Sequence, residues 1–555
     1  MKSNNHSTEV NMHLMIVVVV YVVCYGAFSL VSVPFWDDWV LIGHASSGLW
    51  DMFSQLGRRE QYFLLVPFVA LGEPLIWAAA SFICWGIVAV SIYGVVSGLG
   101  WGAASAFWAA LLTAAFPLNQ ARFALAVLPY SFCAALFAVA LLLLVRSVNH
   151  RSVWPRIMAA GLLLLSFTTS SFLTLTPLAF AVVFLALRLR EPQKDILGTV
   201  RGTAKYWELF ALPVLYWVTK SWLQPVYGVY ANYNQFRMGP IEGLLRAPLV
   251  LMQQLGDLPV LFPTSGHLLE AAAIAVLFTA LLLLCIRLMR IDVRTRRDLP
   301  VADWVVVLAL LAMAVLAVFP YVMVGLRPSF GELWDTRHQT TLAIIAGMLA
   351  FSIIRASVPS RLVPACCATL LCVFIAVDVS VSRQLMADIA DSTAIIHSPQ
   401  IANIPDGTLV AVHADNESYR MMARDLRFYE LSAMLNAHAS QKAVMAMLAS
   451  SVVDPATGGA ALPGSEVLPQ ALAKTCAQWV ARPEYGFGDI GEVNQFAEMW
   501  LTPKLAPPTY LESLMTVFGL IFDRQATIDR LAADLMVTVQ FRPGLEVSCA
   551  GSASG

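Results

Sequence analysis

The chain has 555 residues, of which 58% are hydrophobic and 13% are charged, and its mean hydropathy is +0.70. This composition excludes an ordinary soluble globular protein and indicates a polytopic membrane protein. The formal net charge of −1 shows no excess of either sign, so we expect no nucleic-acid partner.

Long apolar runs recur over the first two thirds of the chain, and about 20 helical residues cross the hydrocarbon core of a membrane. The first run is longer than a signal peptide and lacks a clear small-residue cleavage site, so we expect it to be retained as a span. The sequence predicts about eleven transmembrane helices. Their approximate limits are 13–33, 75–97, 99–117, 126–146, 157–171, 172–188, 206–223, 268–288, 304–323, 341–355 and 363–381.

The basic residues between these spans predict their orientation. If the N-terminus is cytoplasmic, the loops on the inner side hold 3, 5, 5 and 2 Lys plus Arg, in residues 146–156, 188–205, 287–303 and 355–361. The opposite loops hold 2, 1, 2 and 2 over a greater length, in residues 34–62, 118–127, 224–267 and 324–340. The positive-inside rule therefore favours a cytoplasmic N-terminus.

Two adjacent carboxylates, Asp37 and Asp38, follow the first span within the stretch VPFWDDW. Like charges at the edge of a hydrocarbon layer are costly to desolvate, and the flanking Trp36 and Trp39 are typical of a membrane interface. The predicted orientation places both acids outside the cytoplasm, at the start of a long first outward loop, residues 34–74. The pair is a candidate catalytic site, although helix capping or simple solvation is a structural alternative.

The amphipathic pattern of this first outward loop predicts helices that lie along the interface. We expect its aromatic side chains to face lipid or the protein core, and its charged side chains to line a polar groove with the two acids. The aromatic set is Trp36, Trp39, Trp50 and Phe53, with Tyr62 as an interface anchor. The charged set is Arg58, Arg59 and Glu60.

A late outward loop, LRPSFGELWDTRHQTT, concentrates polar side chains before the tenth predicted span. Arg337 and His338 lie at the entrance to that span, and Arg327 and Asp335 precede them. The planar fork of arginine suits phosphate oxygens, and a neighbouring imidazole adds a donor, so a phosphorylated lipid head group would fit there. An interfacial anchor with a histidine at the level of the head groups is an equal alternative for Arg337 and His338. A third outward stretch is rich in Tyr, Asn and Gln around Arg237, which suits either sugar contact or an ordinary interfacial loop.

Hydrophobicity drops after Val381, and residues 382–555 predict a soluble extracytoplasmic domain. Its TLVAVHA run predicts a buried strand and DNESYRMMARDLRFYELSAMLNA a helix, so we expect a small α/β module. Cys476 and Cys549 are the two cysteines outside the predicted spans. The sequence is compatible with a disulfide between them or with two free thiols.

The chain resembles the GT-C superfamily of integral-membrane glycosyltransferases in three features. These are an acidic pair after the first span, a long first outward loop, and basic residues beside a late outward loop. The motifs that carry the resemblance are FWDDW, GRREQY and WDTRHQ. In that family an Asp or Glu pair in the first extracytoplasmic loop carries the catalytic base, and the donors are polyprenyl-phosphate sugars. The resemblance thus implies a GT-C-like domain over residues 1–381, followed by an extracytoplasmic domain.

On this resemblance, Asp37 or Asp38 deprotonates an acceptor hydroxyl, while Arg337 and His338 bind the donor phosphate. The two groups are expected to face one extracytoplasmic cavity. Further phosphate contacts are expected from Arg58, Arg59 and Arg122, and substrate contacts from Glu60, Tyr62, Arg237, Arg327 and Asp335. We expect a bacterial inner membrane protein whose acceptor is a surface glycan such as lipopolysaccharide, or a lipid-linked glycan, with protein as a second choice.

These motifs specify no cofactor. A divalent metal is an open alternative, because Asp37, Asp38, Glu60 and Asp335 offer oxygen ligands for Mg²⁺ or Mn²⁺, although no spacing specifies such a site. The chain has no CxxC, P-loop or Rossmann fingerprint, which argues against redox catalysis or ATP-driven transport within it. Two alternatives stay open. One is a transporter or flippase for a lipid-linked or anionic solute, and the other is an O-antigen polymerase.

Overall fold

The structure, a computed structural model, describes residues 2–30, 33–43, 46–191, 193–232, 235–257, 265–293, 295, 303–328, 333–414, 426–437, 444–480, 495–503 and 509–543. The chain divides into two compact units. The membrane unit comprises Met1–Ser29, Ala79–Phe123 and Val127–Val381, and the α/β unit comprises Leu30–Ala78, Ala124–Ala126 and Ser382–Gly555.

Helices dominate the first part of the chain. In chain order they are α1 (Lys2–Leu30), α2 (Asp38–Gly43), α3 (Ser46–Gln55), α4 (Arg59–Leu71), α5 (Pro74–Gly98), α6 (Ala103–Ala114), α7 (Leu128–His150), α8 (Val153–Ser166), α9 (Thr176–Arg190), α10 (Ile196–Ala204), α11 (Glu208–Leu223), α12 (Pro240–Asp257), α13 (Ser265–Leu288), α14 (Asp303–Met323), α15 (Thr340–Ser357) and α16 (Val363–Ile396). Short 3₁₀ helices lie at Gln120–Phe123, Leu125–Val127, Ser170–Leu175, Gly228–Tyr230 and Leu333–Gln339.

Within the described residues, eight helical segments are long and apolar enough to cross a membrane, which confirms the membrane class. They are Glu9–Gly26, Pro74–Gly98, Leu125–His150, Ser170–Arg190, Gly266–Leu288, Asp303–Met323, Trp334–Ser357 and Val363–Ala402. The other three predicted spans correspond to α6, α8 and α11, which have 12, 14 and 16 residues. A helix of 12 residues rises only about 18 Å, so the count of eleven spans stays a prediction.

Helix α6 lies inside the membrane unit, with 11 of its 12 residues buried. It crosses α15 closely at Gly347, where a Cβ atom would lie 2.4 Å from the backbone nitrogen of Thr113 and 2.7 Å from the carbonyl oxygen of Ala109. Any side chain at Gly347 would therefore force the two helices apart.

The predicted α/β module is confirmed by a four-stranded mixed sheet in the order β2-β1-β3-β4. The strands are β1 (Thr408–Ala414), β2 (Met445–Leu448), β3 (Gln495–Pro503) and β4 (Leu535–Phe541), of which only β4 is antiparallel to its neighbour. The helices of this part are α17 (Pro399–Ala402), α18 (Phe428–Asn436), α19 (Val467–Val480), α20 (Tyr510–Phe522) and α21 (Arg524–Asp534), with a 3₁₀ turn at Ala449–Ser451. The part of the predicted helix over residues 415–425 lies outside the described residues.

Apolar side chains cover both faces of this sheet. Val410, Val412 and Met499 belong to one core cluster, and Leu409 and Phe496 to another. Trp39, from the first outward loop, is buried within the first of these clusters. The sheet core thus anchors the segment that carries the acidic pair.

The three short helices α2, α3 and α4 occupy the first outward loop, where the amphipathic pattern predicts interfacial helices. This segment is part of the α/β unit, whose C-terminal portion begins at Ser382. Cys476 is buried and disulfide-bonded, and its candidate partner Cys549 lies outside the described residues.

Candidate functional site

A tight turn separates the environments of the two adjacent acids. Trp36 has a φ of 50°, in the left-handed region, which side chains other than glycine rarely adopt. The backbone N–H of Asp38 then donates to the carbonyl oxygen of Phe35 at 3.0 Å, and α2 begins. As a result, Asp37 and Asp38 point to different surroundings despite being neighbours.

Asp38 is fully buried, and backbone groups occupy both of its carboxylate oxygens. Oδ2 accepts from the N–H of Phe35 at 3.1 Å, and Oδ1 accepts from the N–H of Ala126 at 2.8 Å. Burial raises the pKa of Asp38 to about 7, against the lowering effect of the Ala126 and Phe35 N–H groups. Asp38 therefore does not line an open groove, and its bonds give it a structural role that ties α2 to residues 124–126.

Asp37 is partly exposed, and its carboxylate receives a hydrogen bond from the far end of the chain. The hydroxyl of Tyr429, on α18, donates to Oδ1 of Asp37 at 2.9 Å across 392 residues of sequence. Burial and the nearby Asp37 carboxylate raise the pKa of Tyr429 far above its usual range, so the phenol stays protonated. Of the two acids, Asp37 is the one with access for a substrate.

We expect Asp38→Asn to lower the stability of the protein. The reason is the loss of a buried hydrogen bond and not the loss of a catalytic group. The amide nitrogen of Asn cannot accept, so one of the two buried N–H groups loses its partner, at a cost of about 1 to 3 kcal/mol. Because the pKa of Asp38 is raised to about 7, its protonated form stabilises the fold at low pH, and that contribution is lost as pH rises.

Thermal melts of the detergent-solubilised protein check this expectation. The native melting temperature should fall as pH rises from about 4 to above 7, whereas Asp38→Asn should melt lower in acid and vary less with pH. A native melting temperature that rises over this range would contradict the buried environment of Asp38.

Aromatic rings cluster beside the charged residues of α3 and α4. The Trp50 ring lies 5.2 Å from that of Tyr62 and 5.8 Å from that of Phe63, and the guanidinium of Arg59 lies 5.9 Å from the Trp50 ring. Arg58 directly precedes α4, and Glu60 is in its first turn. Of the four aromatic residues expected to face lipid or core, Trp36, Trp39 and Phe53 are buried, and Trp50 is exposed.

The last part of the late outward loop forms a 3₁₀ helix, Leu333–Gln339, that leads into α15, and residues 329–332 of the loop lie outside the described residues. The guanidinium of Arg337 lies 4.1 Å from the centre of the Trp334 ring and donates to the Trp334 carbonyl oxygen at 3.0 Å. Its side chain is 16% exposed, whereas that of His338 is 3% exposed and packs on the ring of Tyr321 at 4.8 Å. Asp335 lies 3.5 Å from Arg337 Nη1. Arg337 is thus the more accessible cation of the predicted pair.

Arg122, predicted to bind phosphate, is instead buried within the membrane unit. Its Nε donates to the carbonyl oxygen of Asn119 at 2.7 Å and its Nη2 to that of Phe116 at 3.1 Å, while its guanidinium lies 3.9 Å from the Tyr25 ring. These contacts correct the phosphate assignment and give Arg122 a structural role. The hydroxyl of Tyr25 also donates to Asp378 at 2.9 Å.

Asp378, an acid that sequence reasoning did not single out, anchors this buried network. Its Oδ1 accepts from Tyr25 and from the Gln120 side chain at 3.1 Å. The sole sequence signal for it is a carboxylate at the end of an apolar run, which is costly to bury unless it is hydrogen-bonded.

The two remaining predicted contacts, Arg237 and Arg327, are both exposed near the C-terminal end of α14. The backbone N–H of Arg237 donates to the carbonyl oxygen of Met323 at 2.9 Å, and its side chain covers Gly325. Substrate binding by Arg237 and Arg327 stays a prediction.

An apolar cavity of about 670 Å³ lies in the membrane unit between α9, α10, α11 and α14. Phe180, Phe184 and Phe210 are among its lining residues, and its walls are almost wholly hydrocarbon. Such a cavity suits an acyl or isoprenoid chain and offers nothing to a polar solute.

In the part of the chain that the structure describes, no group of three or more His, Cys, Asp or Glu side chains is placed to hold a metal ion. Magnesium or manganese binding by Asp37, Asp38, Glu60 and Asp335 stays a prediction. No family model matches the chain, and no curated protein is similar to it.

Proposed function

We propose that this protein is a membrane glycosyltransferase of the GT-C type. It takes a sugar from a polyprenyl-phosphate donor and transfers it to an extracytoplasmic acceptor, a surface glycan or lipopolysaccharide, at a bacterial inner membrane. The observation that carries the proposal is the partly exposed carboxylate of Asp37, held by Tyr429 just beyond the first span. The basic inner loops support a cytoplasmic N-terminus, which places Asp37 on the outer side of the membrane.

In the proposed reaction Asp37 is the general base. It accepts the proton of an acceptor hydroxyl while that oxygen forms a bond to the anomeric carbon of the donor sugar. The bond from that carbon to the phosphate oxygen breaks, and polyprenyl phosphate leaves with the bonding electron pair. Arg337 is the proposed ligand of the departing phosphate, because a guanidinium stabilises charge that grows on its oxygens.

Asp38 has a positioning role in this proposal. Its two hydrogen bonds to backbone N–H groups fix the start of α2 and hence the direction of the Asp37 side chain. Burial leaves Asp38 no access to a substrate. One acid therefore acts and the other holds it in place.

Transfer of labelled sugar from membranes to extractable glycan tests the proposal. Membranes with native protein should label the glycan, and membranes with equal amounts of Asp37→Asn should not. Transfer that survives in Asp37→Asn would reject the mechanism. A requirement for sealed vesicles would instead favour the transporter alternative, since an enzyme needs no closed compartment.

Replacing Tyr429 by Phe should lower kcat roughly tenfold with little change in the donor KM, because the base loses a hydrogen bond of about 1.5 kcal/mol that orients it. A purely structural role of Tyr429 would lower the amount of folded protein and leave the kcat of the folded protein unchanged. Tyr510→Phe, on α20 of the same unit and outside the proposed site, is the matched control and should leave kcat within about twofold.

A further inference from the structure

One helix of the α/β unit presents an apolar face that the described residues of the unit leave exposed. Helix α20 begins at a capping box, in which the Thr509 hydroxyl accepts from the Glu512 N–H and Glu512 accepts from the Thr509 N–H at 2.7 Å. This cap fixes the start of the helix, and the contact of Gly519 with Thr527 fixes it against α21. The face is therefore held by a defined helix.

Four apolar side chains form the uncovered stripe. Leu511, Met515, Phe518 and Phe522 are 66%, 57%, 52% and 81% exposed. Their spacing of four, three and four residues places them on one face of the helix. Ser513 and Val517, which lie on another face, are buried. The unit has thus buried one side of α20 and left its most apolar side open.

The size of the stripe argues against a protein partner. An aromatic side chain has about 150 to 250 Å² of surface, so four side chains exposed by half to four fifths, only two of them aromatic, offer at most roughly 400 to 600 Å². A stable protein interface covers about 800 Å² on each partner. The helix has 13 residues and rises about 20 Å, which is also too short to cross a membrane.

The surface of the membrane is the partner best suited to cover this stripe, because the α/β unit is covalently connected to candidate transmembrane helices. Residues Leu30–Ala78 of the same unit are bounded by the candidate spans Glu9–Gly26 and Pro74–Gly98, and α16 continues from a third span into this unit. Because the unit is tethered to the membrane, even weak surface affinity is enough to keep a small apolar face engaged. Glu512 is the sole charged side chain on the helix, and the stripe has none.

We propose that the stripe of α20 lies in the membrane interface, with Met515 and Phe518 at the level of the upper acyl chains. The α/β unit would then rest on the lipid surface in addition to its covalent links to the spans. This inference stands on the exposed stripe and does not depend on the proposed sugar transfer.

Quenching by lipid nitroxides tests this placement. The seven free cysteines are replaced by alanine, Cys476 and Cys549 are kept, and Met515→Cys or Phe522→Cys carries a polarity-sensitive fluorophore. Gln525→Cys on α21, which is exposed and polar, is the matched control. The full-length protein is placed in nanodiscs of phosphatidylcholine with the nitroxide near the head of the acyl chain.

We expect at least threefold stronger quenching at positions 515 and 522 than at position 525, and a blue-shifted emission at the first two. Equal quenching at all three positions would overturn the proposal. So would efficient cross-linking of Met515→Cys between two copies of the chain, because it would show that a second protein covers the stripe. Two independent probe positions keep the result readable if one variant does not fold.

Discussion

Asp37→Asn should lower the rate of sugar transfer by about 10² to 10⁴ fold, the usual contribution of a general base. The variant should nevertheless fold, because the amide oxygen of Asn still accepts the hydrogen bond that the Tyr429 hydroxyl donates to Oδ1. What the substitution removes is the ability to take a proton. Transfer measured at saturating donor, with equal amounts of folded protein, checks this expectation.

Asp51→Asn is the matched control for this substitution. Asp51 lies on α3 of the same unit and is exposed, where it accepts a hydrogen bond from the Gln55 side chain at 2.8 Å. The same loss of one surface charge at position 51 should leave the rate within about twofold. If Asp51→Asn and Asp37→Asn lose activity equally, the role assigned to Asp37 does not hold.

Arg337→Gln is expected to have the second largest effect, a loss of about 10² to 10³ fold in kcat, comparable with removing one oxyanion donor. Glutamine retains a hydrogen-bond donor for the Trp334 carbonyl oxygen but has no positive charge for the departing phosphate. Arg337→Lys keeps the charge without the planar fork, so its loss should be smaller than that of Arg337→Gln.

A second arginine of the membrane unit serves as the control for charge. Arg246 is exposed and pairs with Glu242 four residues away on α12. Arg246→Gln should change kcat by no more than about twofold, since an exposed ion pair is worth little. Full activity in Arg337→Gln would show that Arg337 does not bind the departing phosphate. It would not bear on the role of Asp37 as the base.

Much of the architecture follows from the sequence because its cause is local. Apolar length alone identifies the eight candidate spans among the described residues, since crossing a membrane takes about 20 apolar residues. The same reasoning predicts a span at α6, which has only 12 residues, 11 of them buried in the protein, and this span stays a prediction. Periodicity cannot tell a helix buried in protein from one that faces lipid.

The sequence predicts the position of the candidate site but not the different roles of its two acids. The acidic pair is visible as a local anomaly beside the first span. What distinguishes its two members is not local: Asp38 bonds to Ala126, 88 residues away, and Asp37 to Tyr429, 392 residues away. Arg122 was misassigned for a different reason. Its partners, the carbonyl oxygens of Asn119 and Phe116, are only three and six residues away, but backbone carbonyl groups give no signal in the sequence until the turn that aims them is known.

The most direct test of the central claim uses the purified protein in detergent with a radiolabelled polyprenyl-phosphate sugar and acceptor glycan. The native protein should release one polyprenyl phosphate for each sugar transferred, and Asp37→Asn should do neither above background. Asp51→Asn should match the native protein. Transfer that continues in Asp37→Asn, or a native protein that binds the donor and never cleaves it, would contradict the account.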